Sequence, residues 1–149
     1  MRSRRSGFTL LEMLLVVLIG GVILTMGTRQ YSGISNRRAV INAANAMVLT
    51  ANRARSEAMR SGRLVYLQVR PDSGLARVAG PTGTVVHTLD MDTYGGDMVG
   101  SGFTICYAAR GYALPGCTNI TSNRPLRFIR GTDTTMVVAM PLGQIRRTR

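Results

Sequence analysis

RRSGFTLLEMLLVVLIGGVILTM, residues 4–26, opens on two arginines, passes a glycine and then runs almost wholly apolar. A membrane-spanning helix needs about twenty apolar residues, and Phe8 to Met26 nearly supplies them. One carboxylate, Glu12, sits just inside the run. An ionised side chain at that depth in lipid is costly unless something pairs it. The stretch therefore predicts a membrane-entering helix carrying one acid in need of a partner. A secretory signal peptide is the competing reading. Against it, Gly7 precedes the apolar run, the run outlasts a usual signal core, and no A-x-A site follows.

Downstream of Met26 no proline interrupts the chain until Pro71, which permits one very long helix. Ile34, Ile41 and Val48, and likewise Ala44, Ala51 and Ala58, recur in seven-residue steps on one stripe. Arg37, Arg38, Arg53 and Arg60 fall mostly off that stripe and are expected to face solvent or neighbours. Gly62 is a natural helix stop, with Arg60 in the last turn where a cation suits the dipole. Gly20, Gly21 and Gly27 weaken the helix locally, by about 1 kcal/mol each relative to alanine.

After Gly62 the periodicity changes. Leu64 to Val69 is β-branched and aromatic, and Pro71 to Gly74 reads as a turn. Leu75 to Ala79 and Thr84 to Leu89 follow as strands about a second turn at Gly80 to Gly83. Residues 90–102, rich in Gly and Asp, read as a long loop. Phe103 to Tyr107, Leu126 to Arg130 and Met136 to Met140 are further strands. A hairpin at Pro141-Leu142-Gly143 leads into Ile145 to Arg149. The expected fold is α+β: a long N-terminal helix, transmembrane in its first half and amphipathic in its second, packed on a small antiparallel β-sheet domain.

With 149 residues there is room for one small domain beyond the anchor. The formal charge is +12, and all nineteen cations are arginine. Arginine favours bidentate contact with carboxylate or phosphate, so nucleic acid or anionic lipid are conceivable partners. A codon bias that replaces Lys by Arg explains the same count. Cys106 and Cys117 read first as a disulfide in a small extracytoplasmic domain, worth roughly 3 kcal/mol in the chain-entropy model. Buried free thiols or half a metal site are the alternatives, and with His87 the single histidine, the metal reading is poor. Arg2, Arg4 and Arg5 before the apolar run are balanced by Arg29, Arg37 and Arg38 after it. The positive-inside count is a tie and leaves orientation open.

Gly7-Phe8-Thr9-Leu10-Leu11-Glu12 resembles the type IV prepilin processing motif, with the Arg2 to Arg5 head matching its short leader. Ala54-Arg55-Ser56-Glu57-Ala58, followed by Arg60-Ser61-Gly62-Arg63, is similar to the helix-end signature of GspH/FimT-family minor pseudopilins and minor pilins. Gly143-Gln144-Ile145-Arg146 resembles that family's closing Gly-Arg-x-Arg strand, with Gln144 where the first arginine would stand. Residues 72–125 are matched by strand rhythm alone.

The resemblance implies a type IV pilin-like filament subunit with no catalytic residues and no cofactor. A prepilin peptidase would cut between Gly7 and Phe8 and methylate the amine of Phe8, and losing Arg2, Arg4 and Arg5 would take the charge from +12 to +9. The implied organisation is leader 1–7, transmembrane and filament-core helix 8–28, amphipathic half 29–62 and β-rich globular domain 63–149. The subunit would cross the inner membrane once, with its globular domain in the periplasm, before joining a type II secretion pseudopilus or type IV pilus. Its partners would be the peptidase, membrane lipid and other pilins. Glu12 would pair with the N-terminal amine of an adjoining subunit, since low dielectric makes such a pairing selective. A helix-dipole role for Glu12 is worth only a few tenths of a kcal/mol.

A second implied reading is a pilus-tip DNA-binding subunit. Arg146, Arg147 and Arg149 would grip phosphates as a flexible cluster, without reading sequence. A solvated charged terminus is the plainer reading, and Gln144 breaks the motif. Asp90, Asp92 and Asp97 faintly resemble a calcium loop, but Ser101 stands where a bidentate glutamate is needed, so a polar turn is expected and no metal. Catalysis has little support: there is no lysine for a phosphate loop or Schiff base, and no paired carboxylates share an element.

Overall fold

The computed structural model describes residues 9–148, with the side chains of 26–32 left aside. The cleavage pair Gly7 and Phe8, the leader arginines and Arg149 lie outside the described residues. The chain divides into two compact units, Met1–Ser35 and Asn36–Arg149.

A single helix, α1 (Leu10–Ser61), carries the N-terminal third of the chain. Thr9 caps it: the Glu12 amide donates to Thr9 Oγ1 at 3.3 Å, half of a Thr-x-x-Glu capping box. Its far end is closed by several local devices. Glu57 and Arg60 form a two-bond ion pair at 2.8 and 3.0 Å, and Ser61 Oγ donates to the Glu57 carbonyl at 2.7 Å. Gly62 adopts φ +66°, and its amide reaches the Ala58 carbonyl at 3.1 Å. A left-handed residue there is cheap only for glycine, so the expected stop is observed with its cause.

In the first unit the helix shows an exposed apolar surface, including Leu10 (84 % exposed), Leu11 (76 %) and Val17 (75 %). Among the described residues no helix is long and apolar enough to cross a membrane. The described side chains of this run stop at Thr25, short of the about twenty that a span requires.

In the second unit eight strands follow: β1 Val65–Arg70, β2 Leu75–Ala79, β3 Val85–Asp90, β4 Asp97–Gly100, β5 Phe103–Tyr107, β6 Arg124–Arg130, β7 Asp133–Ala139 and β8 Ile145–Thr148. They form not one small sheet but two four-stranded antiparallel sheets, ordered β3-β2-β1-β5 and β4-β6-β7-β8. The expected loop 90–102 is corrected. It holds a 3-10 turn at Met91–Tyr94 and strand β4, which pairs with β6 from Asp97↔Ile129 to Gly100↔Leu126.

One core joins the helix to both sheets. Val40, Ala43, Ala44, Met47, Ala51, Ala54 and Ala58 of α1 are buried with Leu67, Val78 and Ile105 of the first sheet and Leu126, Phe128 and Val137 of the second. Each large aliphatic or aromatic side chain buried this way contributes about 1.5–3 kcal/mol. Of the two seven-residue series, only the alanine one is core. Ile41 and Val48 are half-buried and Ile34 is 55 % exposed. The core face of α1 is completed by Val40, Ala43, Met47 and Ala54, which flank the alanine series on the helix.

The outer edge of β5 is closed by the segment following it. Thr104 exchanges bonds with Asn119: its amide donates to Asn119 Oδ1 at 2.7 Å, and its carbonyl accepts the Asn119 amide at 3.1 Å. The Cys106 amide donates to Thr118 Oγ1, and the Cys106 carbonyl accepts from Leu114. Edge groups that could template foreign pairing are thereby satisfied internally.

Candidate functional site

Glu12 stands in the first turn of α1, exposed among the leucines that flank it. Its amide is occupied by the Thr9 cap, while among the described residues no cation lies within ion-pairing distance of its carboxylate. The arrangement is an acid on an exposed apolar helix surface, offered outward.

Cys106 and Cys117 are joined by a disulfide, with Cα atoms 5.7 Å apart. Cys106 is buried on β5 and Cys117 exposed on the covering segment. Next to it, the buried Tyr107 hydroxyl donates to the Gly143 carbonyl at 2.7 Å. Burial pushes the Tyr107 hydroxyl up to about 12, against a smaller opposing pull from the Arg55 cation. Gly143 has φ +80°, and a Cβ there would lie 2.8 Å from Ala113 Cβ and 3.0 Å from Tyr107 Cε1. The cystine-closed segment, β5 and the β7–β8 turn thus meet at one glycine.

Two of the tail arginines are held in regular structure rather than in a flexible cluster. Arg146 and Arg147 belong to strand β8, paired with Val138 and Val137 of β7. Strand alternation places Arg147 on the side of buried Ile145, where its guanidinium donates to Asn45 Oδ1 of α1 at 3.3 Å, and starts Arg146 on the other side. β8 is the edge of its sheet, and both arginines remain exposed.

The aspartates form a turn. Asp90 Oδ1 accepts from the Asp92 amide at 3.0 Å and caps the 3-10 turn, while Asp97 opens β4. Among the described residues no group of three or more His, Cys, Asp and Glu side chains is placed to hold a metal. His87, on β3, accepts from Arg53 Nη1 at 3.0 Å through Nδ1. Burial, and secondarily the Arg53 charge, holds its pKa below the ordinary 6.5.

Two features escape a reading of the sequence alone. One is the Tyr107–Gly143 bond, whose partners are 36 positions apart. The other is a crevice between α1 and the β7–β8 hairpin, which brings Arg37 and Arg147 to one cleft with Met136 and Thr148.

The long N-terminal helix thus carries an apolar, acid-bearing surface first and packs on antiparallel sheets later in its length. Residues 2–28 match the family model of the prokaryotic N-terminal methylation motif. The chain is similar to the type II secretion system protein H of Aeromonas hydrophila, 37% identical over 68 residues. That match spans 46% of this chain and 37% of the relative's length. Two crystal structures of the type IV minor pilin FimU from Pseudomonas aeruginosa share the fold at 16% identity. The first has a TM-score of 0.55 and covers 76% of this chain and 90% of FimU; the second has 0.52, covering 72% and 91%. The motif match covers the N-terminus alone, the secretion protein is matched over little more than a third of its length, and the FimU structures show a shared fold.

Proposed function

We propose that the chain is a minor pseudopilin or minor pilin that helps initiate or cap a type II secretion pseudopilus or a type IV pilus. The observation that carries the reading is Glu12, exposed on an apolar helix immediately after a Gly7-Phe8 junction, inside the matched methylation motif. A prepilin peptidase cuts before Phe8 and methylates it. The new amine and the Glu12 carboxylate of a neighbouring subunit then neutralise each other in a low-dielectric surrounding, which makes misregistered packing costly. Before assembly the N-terminal segment holds the subunit in the inner membrane, with residues 36–149 on the periplasmic side. The Cys106–Cys117 disulfide supports that placement, since such bonds persist in oxidising compartments.

Mass spectrometry of the mature protein is expected to find a methylated N-terminal Phe8; an intact Met1 would refute the processing step. Glu12→Val is expected to abolish co-assembly with pilin partners while membrane fractionation stays unchanged. Normal filaments with that variant would refute the pairing. A tip DNA-binding role is the second reading, favoured by the exposure of Arg146 and Arg147 on an edge strand. Mobility-shift titration tests it, and no binding at low salt disposes of it.

A further inference from the structure

We propose that the crevice between α1 and the β7–β8 hairpin is a docking groove for an acidic amphipathic segment of a partner polypeptide. Arg37, Ile41, Asn45 and Val48 succeed one another along one side of α1, at helical spacings of four and three. Arg147 reaches across to Asn45 at 3.3 Å and divides the crevice into two bays. One bay, of about 600 Å³, lies between Arg37, Ile41, Met136 and Arg147. The other, of about 560 Å³, is bounded by Val48, Leu49, Ile145 and Arg146. Leu49 lines this second bay and is 66 % exposed, so its side chain is available to an occupant. Positions 37–49 extend about 18 Å along the helix, room for about three turns of a bound helix.

The lining chooses the occupant. Aliphatic floors in both bays accept apolar side chains, as grooves that take a helix do. The cations of Arg37 and Arg147 border the crevice against one carboxylate, Asp133, so the occupant's polar side should be acidic. Nucleic acid fits less well, because neither bay is lined by an aromatic ring on which a base could stack. A bilayer surface fits less well still, because it cannot enter a concave cleft. The proposal requires neither Glu12 nor N-terminal processing.

The test uses full-length protein in nanodiscs of neutral lipid. The probe is a fluorescent 18-residue peptide designed with Leu on one helical face and Glu on the other. Anisotropy titration is expected to show saturable binding, weakened at least tenfold by R37E/R147E. The milder pair R37Q/R147Q, also checked for a wild-type circular dichroism spectrum, is expected to weaken it at least fivefold. Leu49→Ser is expected to weaken it severalfold. R70E/R77E makes the same charge change on exposed strand positions of the other sheet and should leave affinity within twofold. A peptide with Lys in place of Glu should prefer R37E/R147E to the wild type. Three results would overturn the proposal: no saturable binding, equal losses in R70E/R77E, or oligo(dT) of equal charge displacing the peptide and binding more tightly.

Discussion

Tyr107 shows how one hydroxyl ties distant parts of the second unit together. It is 1 % exposed, and its bond to the Gly143 carbonyl spans from the first sheet to the turn of the second. Removing the hydroxyl leaves a buried carbonyl unsatisfied, at a cost of about 1–3 kcal/mol. Tyr107→Phe should therefore lower the urea midpoint at neutral pH. The same residue sets an alkaline limit. Its folded pKa, about 12, lies above the ordinary 10.0. The neutral form is thus favoured in the folded state, and its contribution is complete below pH 10. Stability then falls as pH rises from 10 towards 12, by on the order of 3 kcal/mol. In Tyr107→Phe that portion of the slope should vanish. His87 works at the other end of the scale. Its folded pKa lies below 6.5, so its contribution is complete above pH 6.5 and is lost as pH falls through the depressed value. Burial is the larger cause, and Arg53 adds to it: Nδ1 accepts from its guanidinium, and a protonated ring would set two cations face to face. His87→Gln should flatten the stability profile just below pH 6.5; an unchanged slope would assign that limb to carboxylates.

At the scale of elements, the cystine-closed segment is the one most open to test. It supplies hydrogen bonds to Thr104 and Cys106 along the open edge of β5, and Ala113 of the same segment packs against the Gly143 turn. Replacing both cysteines by alanine should cost about 3 kcal/mol. Hydrogen exchange should quicken first at the Thr104 and Cys106 amides, because their acceptors lie on the released segment. Uniform acceleration across both sheets would mean that the segment does not act as a local cover. The helix and most hairpins are legible in the sequence because their signals are local: no proline before Pro71, Gly62 at the stop, and Pro–Gly punctuation at the turns. Strand β4 is not, since Asp97 and Gly100 are poor strand formers, and its pairing depends on β6 some thirty residues on. The division into two sheets is non-local for the same reason. So is the crevice at Arg37 and Arg147, which lie at opposite ends of the second unit. The two cysteines were the one local sign that the 108–119 segment is tied down.

For the molecule as a whole, chemistry and packing are partitioned along the chain. Among the described residues every buried core residue falls at Val40 or later, whereas the exposed leucines, valines and isoleucines of residues 10–24 all precede the break at Ser35. The second unit has a core, a disulfide and a capped helix end of its own. A chain beginning at Asn36 should fold cooperatively in water without detergent. Its melting temperature should match that of the full-length protein in nanodiscs to within about 4 °C, the equivalent of about 1 kcal/mol for a domain of this size. Alanine is the best helix former, and α1 from Val40 to Ala58 is rich in it, so the loss of the preceding turns should fray little beyond the new end. Differential scanning calorimetry of the two forms decides the point. A broad, non-cooperative transition for the shorter chain would mean that the first unit is needed to nucleate the helix on which both sheets pack.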